Sequence, residues 1–554
     1  MTVSVADIVR ACARFVQGKG AAYDELDAAA GDGDFGGVIA LAGRRVDDAL
    51  TGDDPASVRE VLLTAASAVA GVGGTTGPLW GTALVRLAEQ LPDQPDGRAL
   101  GAALRSAADG ISELGGASVG DKTLLDALVP TADTLADGGS AGDAADAARR
   151  GADDTRELAA ARGRASYQGE RSRGAPDAGA VAVADLVAFV VDLVEGRASV
   201  PEPGGGAEQA EDASDGSGRA EGGAGHLVRD PQQLVDEALR GLVAAHADLV
   251  RAEFDPRFLV RADAPVGGKV ALVSGGGSGH EPMHTGLVGP GLLDAACPGE
   301  VFASPSADQV AAAIRAVDGG AGVLLVVKNY TGDVLNFRLA AQLVEADGIR
   351  TETVLIADDV AVDGSTATIG RRGVAGTVLV EKICGAAADA GADLESLAAL
   401  GRRVADGARS MGAALSGVTL PSGGDPAIEL GQGEMEVGVG IHGEPGRDRR
   451  AAEPADAVVD TLLDAILEDL PDGDGDLLLF TNGLGGLPPL ELYAAHHHAT
   501  QRLAASGATV GRALVGPLVT SLGMVGLSLT VLRLDDELRR HWDAPCRSAG
   551  WMVV

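Results

Sequence analysis

The sequence predicts a multidomain chain, an all-helical region followed by an α/β region, and three observations carry that prediction. Before about residue 197 the apolar residues recur at helical spacing in alanine-rich segments. After about residue 226 short apolar bursts alternate with helical stretches, the pattern of strands that end in polar, glycine-rich loops. Between them, residues 198–225 are Gly, Ala, Ser, Glu and Asp with almost no large apolar side chain, too little to offset chain entropy by burial. That stretch reads as a flexible linker with an end-to-end distance of about 30 Å.

Each region follows from its own text. "ASVREVLLTAASAVAGV", "GTALVRLAEQL" and "AVAVADLVAFVVDLVEG" have the period of helices, and Gly/Asp turns separate them, which predicts a helical bundle over residues 1–197. In residues 226–554 the bursts "KVALVSGG", "GVLLVVKNY", "TETVLIADD" and "DLLLFTNG" read as strands, with "DQVAAAIRAV" and "NFRLAAQLVEA" as helices between them. Two α/β subdomains are expected there, about 226–410 and about 411–554. The uncharged run from Ala513 to Leu532 contains Gly516, Pro517, Gly523 and Gly526, so it reads as strand, turn and strand rather than a membrane span.

The charge balance narrows the partners. With 80 acidic against 44 basic residues and a formal net charge of −36, the surface repels phosphate backbones, and no Lys/Arg cluster offers a local exception. No nucleic-acid or membrane partner is expected. An anionic substrate would have to be held by a metal or by backbone amides. The four cysteines are scattered and form no CxxC pair, and the first residues lack a basic segment followed by an apolar core, so a cytoplasmic protein is expected.

"LDAAAGDGDFGG" sets Asp27, Asp32 and Asp34 close together among glycines. Three such carboxylates repel one another unless a hard cation lies between them, and Mg²⁺ takes oxygen ligands of this kind; DGD as a helix-capping turn is the other reading. "GVGGTTGPLWG" offers Thr75 and Thr76 with amides at a helix start, suited to phosphate oxygens, although no GK[ST] follows the glycines. "GDKTLLDAL" at Gly120–Leu128 and "GRASYQGERSRGAPDAGA" at Gly163–Ala180 add two more polar loops, and four such interruptions of one helical domain suggest a shared site.

In the second region "VSGGGSGHEPMHTG" follows a strand and ends its glycines at His280. "KNYTGDVLNF" then brings Lys328 and Asp333 to a strand end, and "ADD" brings Asp358 and Asp359. A histidine and a carboxylate at neighbouring strand tips can exchange a proton with a substrate hydroxyl, or His280 can simply be a structural hydrogen-bond partner. "GVGIHGEPG" places His442 in a run of glycines with a carboxylate two residues on, either a turn or a reagent with room around it. The "HHH" run at His496 to His498 cannot converge on one metal from a helix, because successive side chains there point about 100° apart.

The four loops of the first region, in this order, resemble the nucleotide-binding (DhaL-like) part of the dihydroxyacetone kinases, a barrel of antiparallel helices. With "RRGVAGTVLVEKICGA" and "TNGLGGLPPLELY", the glycine-rich stretches of the second region resemble the ketone-binding (DhaK-like) part of the same family. The resemblance implies that Asp27, Asp32 and Asp34 hold two Mg²⁺ ions that bridge the phosphates of ATP. It implies phosphate and nucleotide contacts from Phe35, Gly36, Gly37, Val38, Thr75, Thr76, Gly115, Leu124, Arg164, Asp177, Ala178 and Gly179. Phe35, Leu124 and Ala178 depart from the residues common there. It further implies that His442 attacks the substrate carbonyl to form a hemiaminal, which requires a neutral imidazole. Gly277, Ser278, Gly279, His280, Lys328 through its backbone and Asp333 would hold the ketose, with His280 and Asp333 activating its hydroxyl.

A kinase for a short ketose, dihydroxyacetone first, is the implied activity, on a homodimer. Four-carbon ketoses such as erythrulose fit the same motifs. A phosphoprotein-fed kinase, a fatty-acid kinase and a non-enzymatic regulator share parts of the pattern. The order, nucleotide part first, is the reverse of the common fusion.

Overall fold

The computed structural model describes residues 4–30, 35–51, 57–201, 226–345, 347–362, 370–421 and 428–554. The chain divides into two compact units, Met1–Arg219 and Ala220–Val554.

The described part of the first unit carries α1 (Val5–Gln17), α2 (Gly20–Ala30), α3 (Phe35–Ala49), α4 (Val58–Ala70), α5 (Thr76–Gln90), α6 (Gly97–Gly115), α7 (Leu125–Ala136), α8 (Ala141–Asp154) and α9 (Ala178–Val194). Helices α3 to α8 each pack on the next, and α9 lies against α8 and returns to α1. Alanine sets the spacing. Ala11, Ala103, Ala127, Ala132, Ala148, Ala180 and Ala182 are fully or almost fully buried, so the backbones approach closely where leucines would hold them apart. Ser4 and Ser140 begin α1 and α8 with capping boxes to Asp7 and Asp143.

The second unit opens with α10 (Leu234–Ala245) and builds two six-stranded sheets. The first holds β1 (Val250–Phe254), β2 (Arg257–Arg261), β3 (Ala271–Ser278), β4 (Ala295–Val301), β5 (Val323–Lys328) and β6 (Thr351–Ile356), in the order β1-β2-β4-β3-β5-β6. Strands β4, β3, β5 and β6 run parallel, with α11 (Ala307–Val317) and α12 (Thr331–Glu345) in the crossovers. The helices α13 (Gly376–Asp389) and α14 (Leu394–Gly407) lead to the second sheet. That sheet is formed by β7 (Arg409–Ala414), β8 (Glu434–Val437), β9 (Asp448–Ala451), β10 (Asp476–Gly483), β11 (Val510–Gly516) and β12 (Gly526–Leu534), ordered β11-β10-β12-β7-β8-β9. Only the β10–β11 pair in it is parallel. The helices α15 (Ala455–Asp469), α16 (Pro489–Ala505) and α17 (Asp536–Asp543) complete the unit.

The four bursts read from the sequence are β3, β5, β6 and β10, the strands whose apolar residues are buried along almost their whole length in β3, β5 and β10. The Ala513–Leu532 run falls on β11 and β12, and among the described residues no helix is long and apolar enough to cross a membrane. Helix α13 is buried from Gly376 to Ala388, and its core cluster includes Leu272 and Val326 of the first sheet with Leu478, Phe480 and Leu532 of the second. A mostly apolar helix is stable when enclosed in this way, and its two buried charged residues have partners, Glu381 at His284 and Lys382 at the carbonyls of His541 and Ala544. Asp358, just past β6, accepts hydrogen bonds from the amides of Val374 and Gly376 and from Ser410 Oγ on β7, tying both sheets to the start of α13.

Candidate active site

In the second unit the strand ends gather the glycine-rich loops, as connections at the carboxyl edge of parallel strands do. His280 follows β3 and is fully buried. Its Nδ1 lies 2.8 Å from the carbonyl oxygen of Thr520, which can only accept. The ring proton therefore sits on Nδ1, and Nε2 carries a bare lone pair with no protein partner among the described residues. Burial, with His442 and Lys328 adding to it, holds this imidazole well below its ordinary range, so it is a neutral base.

His442 stands 4.8 Å from His280, ring centre to ring centre and nearly edge-on. Its loop is bare in sequence but not in space. Phe302 and Tyr330 present their rings to it at 5.3 and 4.6 Å, and the residue is only 8% exposed. Glu444 decides its tautomer. The carboxylate accepts from the His442 amide through Oε2 at 3.0 Å and faces Nδ1 through Oε1 at 2.8 Å. Burial pushes Glu444 upward, but His442 and Arg372 outweigh it and hold the carboxyl well below the usual range. An ionised partner on Nδ1 leaves the Nε2 lone pair available. Glycine is required at 440, because a Cβ there would lie 1.9 Å from Glu444 Oε2.

Asp333, in the first turn of α12, pairs through Oδ2 with Lys328 Nζ at 3.4 Å, while its buried Oδ1 has no partner among the described residues. Lys328, at the end of β5, also donates to the Gly275 carbonyl at 3.0 Å and to His284 Nε2 at 2.7 Å. Gly276 leaves room for this ammonium, since a Cβ would stand 2.1 Å from Nζ. Gly277 and Gly279 pack on Phe302, and Ser278 Oγ donates to the Gly299 carbonyl. Thus the structure brings Gly277, Ser278, Gly279, His280, Lys328, Asp333 and His442 into one neighbourhood. Among the described residues, an imidazole nitrogen of His442 with no hydrogen-bond partner, suited to carbonyl addition, lies there beside a second base, and a carboxylate oxygen of Asp333 without a partner is buried nearby.

Sequence reasoning missed the layer behind it. His284 places Nδ1 2.6 Å from Glu381 Oε1, and Ser274 Oγ lies 3.0 Å from the same nitrogen. Burial pushes Glu381 up to about 8, against the pull of Lys328 and Ser274. The folded state thus holds a proton that the unfolded chain releases at a much lower pH, and stability falls as pH rises between the two. Glu381→Gln is expected to flatten that fall, so that the thermal midpoints of the two chains diverge from about pH 5 to 8 with the variant favoured at the alkaline end. Parallel curves would show that Glu381 ionises alike folded and unfolded.

In the first unit Asp27 is the last charged residue of α2, and its Oδ2 accepts from the amide of Phe35, at the start of α3, at 3.3 Å. Asp32 and Asp34 lie outside the described residues, as does the side chain of Arg164. Asp24, unremarked in the sequence, accepts from the amide of Gly37 at 3.0 Å; Gly36 and Val38 are its neighbours in the first turns of α3. Thr75 precedes α5 without bonding its first amides, and Thr76 is buried. Gly115 ends α6 against Leu79 of α5, and Leu124 is the N-cap residue just before α7. Asp177 caps α9 through the Ala180 amide at 2.7 Å, ahead of Ala178 and Gly179. Gly179 is in turn close to Leu124.

Burial raises Asp177 to about 7, and the charges of Asp27 and Asp126 add to the rise. Asp126 ties the amides of Gly120 and Thr123 at 2.6 and 2.7 Å, and Lys122 bridges the carbonyls of Thr155 and Ala175 at 2.8 and 2.6 Å. These bonds hold the two long loops together beside Asp27. An acidic group crowded enough to raise one of its members fits a divalent cation. Among the described residues alone, no three His, Cys, Asp or Glu side chains form a metal cluster.

A family model described as the Dak1 domain matches residues 240–550, and one described as the DAK2 domain matches residues 29–192. The chain belongs to the Dak1 family. Its Dak1 region contains His280, Asp333, His442 and their whole surroundings, and the DAK2 match lies ahead of it. The dihydroxyacetone-binding subunit DhaK of the PEP-dependent dihydroxyacetone kinase of Escherichia coli (strain K12) is 47% identical over 345 residues, 58% of this chain and 96% of that subunit. L-erythrulose 1-kinase of Mycolicibacterium smegmatis is 44% identical over 332 residues, 59% of this chain and 58% of that protein. The crystal structure of the dihydroxyacetone kinase from C. freundii in complex with AMP-PNP and Mg²⁺ aligns with a TM-score of 0.56 and 37% identity over 59% of this chain and 61% of that one. The chain thus spans less than two thirds of the length of these last two relatives.

Proposed function

We propose that the chain is an ATP-dependent kinase that phosphorylates a hydroxyl of a short ketose, dihydroxyacetone first. The observation that carries this reading is the His442–Glu444 pair, with Nδ1 on the carboxylate and no partner on Nε2 among the described residues, set edge-on to the neutral base His280 in a Dak1-family region.

His442 Nε2 adds to the ketose carbonyl carbon, the carbonyl π pair moves to oxygen, which takes up a proton from solvent, and the Nδ1 proton passes by way of Glu444 back to solvent, leaving a neutral hemiaminal and an ionised Glu444. The anchored ketose then presents a hydroxyl whose proton His280 Nε2 or Asp333 Oδ1 can accept, while Gly277, Ser278, Gly279 and the Lys328 backbone hold the remaining oxygens. Fixing the acceptor covalently replaces an encounter by a single oriented geometry. In the helical unit Asp27, with Asp32 and Asp34, would hold two Mg²⁺ ions, whose charge stabilises the phosphoryl group in transit. Phe35 to Val38, Thr75, Thr76, Gly115, Leu124, Arg164 and Asp177 to Gly179 would receive the nucleotide. The proposal includes a helical barrel over residues 1–197, a linker over 198–225, a ketone-binding part over 226–554, and a cytoplasmic homodimer.

The match to an L-erythrulose 1-kinase favours one second reading, the same chemistry on a four-carbon ketose. The DAK2 match on the same chain favours free ATP over a phosphoprotein donor. ATP consumption by the full chain with dihydroxyacetone, erythrulose or no ketose tests all of this. Consumption that rises at least about tenfold with one ketose over none is the expected result. No rise with any ketose would refute the kinase reading.

A further inference from the structure

Arg372 lies on the segment between β6 and α13, seventy residues ahead of the His442 loop, and is 1% exposed. Its Nη2 donates to the carbonyl of Gly438, the first residue of "GVGIHGEPG", at 2.8 Å, and its Nε donates to Asp359 Oδ2 at 2.8 Å. Its Nη1 faces the same small space at Gly440 that Glu444 Oε2 borders, 2.6 and 1.9 Å from where a Cβ would stand. One buried guanidinium therefore tethers the nucleophile's loop to the first sheet and sets a positive charge beside the carboxylate that orients the ring.

We propose that Arg372 is a positioning residue for the nucleophile, holding the His442–Glu444 pair in the form with the proton on Nδ1 and the lone pair on Nε2. The inference rests on the reading of His442 as the group that adds to the ketose. The charged and titratable groups facing Glu444 are His442 on its own loop, Arg372 and Asp359 from the segment after β6, and His280 from the segment after β3. Arg372 is the permanent cation among them. Without it the pair binds an extra proton more readily, and both sites for that proton have the same result. A protonated Glu444 donates to Nδ1 and moves the ring proton to Nε2; a protonated ring already carries a proton there.

The test uses the full chain labelled with ¹⁵N-histidine, with His442 assigned by its loss in His442→Gln, and the pH at which Nε2 gains a proton is read in the absence of ketose. The same samples are then given dihydroxyacetone labelled with ¹³C at its carbonyl, and the tetrahedral carbon signal is followed against pH. In Arg372→Met both limbs are expected to move to higher pH by about one unit or more, as loss of an adjacent opposite charge requires. Arg372→Gln keeps a donor for the Gly438 carbonyl and carries the test if the methionine variant does not fold. Arg372→Lys, which keeps the charge, is expected to return both limbs toward the wild-type position; a purely structural role would leave them in place in all three. An unmoved ¹⁵N limb in the neutral variants overturns the inference. A moved ¹⁵N limb in a protein that never forms the tetrahedral carbon supports Arg372 and overturns His442 as the nucleophile.

Discussion

His442→Ala is expected to form no adduct with dihydroxyacetone, and its ketose-stimulated ATP turnover is expected to fall by on the order of 10³. The ring supplies a nitrogen whose lone pair is left available by a carboxylate on its other side, whereas neighbouring His284, which also faces a carboxylate, has its other nitrogen taken by Lys328. His280 has the same tautomer, but its Nδ1 is tied to the Thr520 carbonyl rather than to an anion, and burial lowers its basicity. The adduct is read by the tetrahedral signal of carbonyl-labelled ketose, and turnover by coupled detection of ADP. Removing the anchor also removes the discrimination between ketones and plain polyols that covalent capture provides, so glycerol should compete better in the variant. An unchanged adduct signal, or an unchanged substrate profile, would contradict the role.

Removing divalent cations should separate the two units by their chemistry. With a chelator present, phosphoryl transfer is expected to fall by on the order of 10³, because charge on the transferring group is left uncompensated. The His442 adduct should persist undiminished, since the Glu444 carboxylate beside the ring is already compensated by the buried Arg372 guanidinium and Asp333 by Lys328, with no cation needed from outside. Asp27→Ala should reproduce the result without a chelator and should lower the Mg²⁺ requirement of no step in the ketone-binding unit. If chelation abolished the adduct as well, a metal would belong at the ketone site, and the division of labour proposed here would be wrong.

Much of the fold was written in local pattern. Of the four apolar bursts, those that became β3, β5 and β10 are buried along almost all their residues, and a strand covered on both faces carries a run of apolar residues that is legible wherever it lies in the sheet. Strands such as β8 and β9 escaped notice because they are short and partly exposed, and their sequences carry no such demand. The mostly antiparallel character of the second sheet was likewise not legible, since pairing direction depends on partners far along the chain.

The site shows the same division. Within "GIHGEPG" the sequence by itself determined that a carboxylate would stand two residues from His442, because a glycine-rich turn folds position 444 back on 442 with little choice. It determined the glycine-rich strand ends that bear His280 and Asp333, whereas Asp27, read from the sequence as part of a loop, lies within α2. Only the tertiary structure decided that Tyr330 and Phe302 wall the ring, that Arg372 lies beside Glu444, that Glu381 backs His284, and that Lys122 and Asp126 bind the two long loops of the helical unit together. The reason is physical: a turn is fixed by the dihedral freedom of a few neighbouring residues, whereas the partner of a buried charge is fixed by which strand ends the sheet order brings side by side.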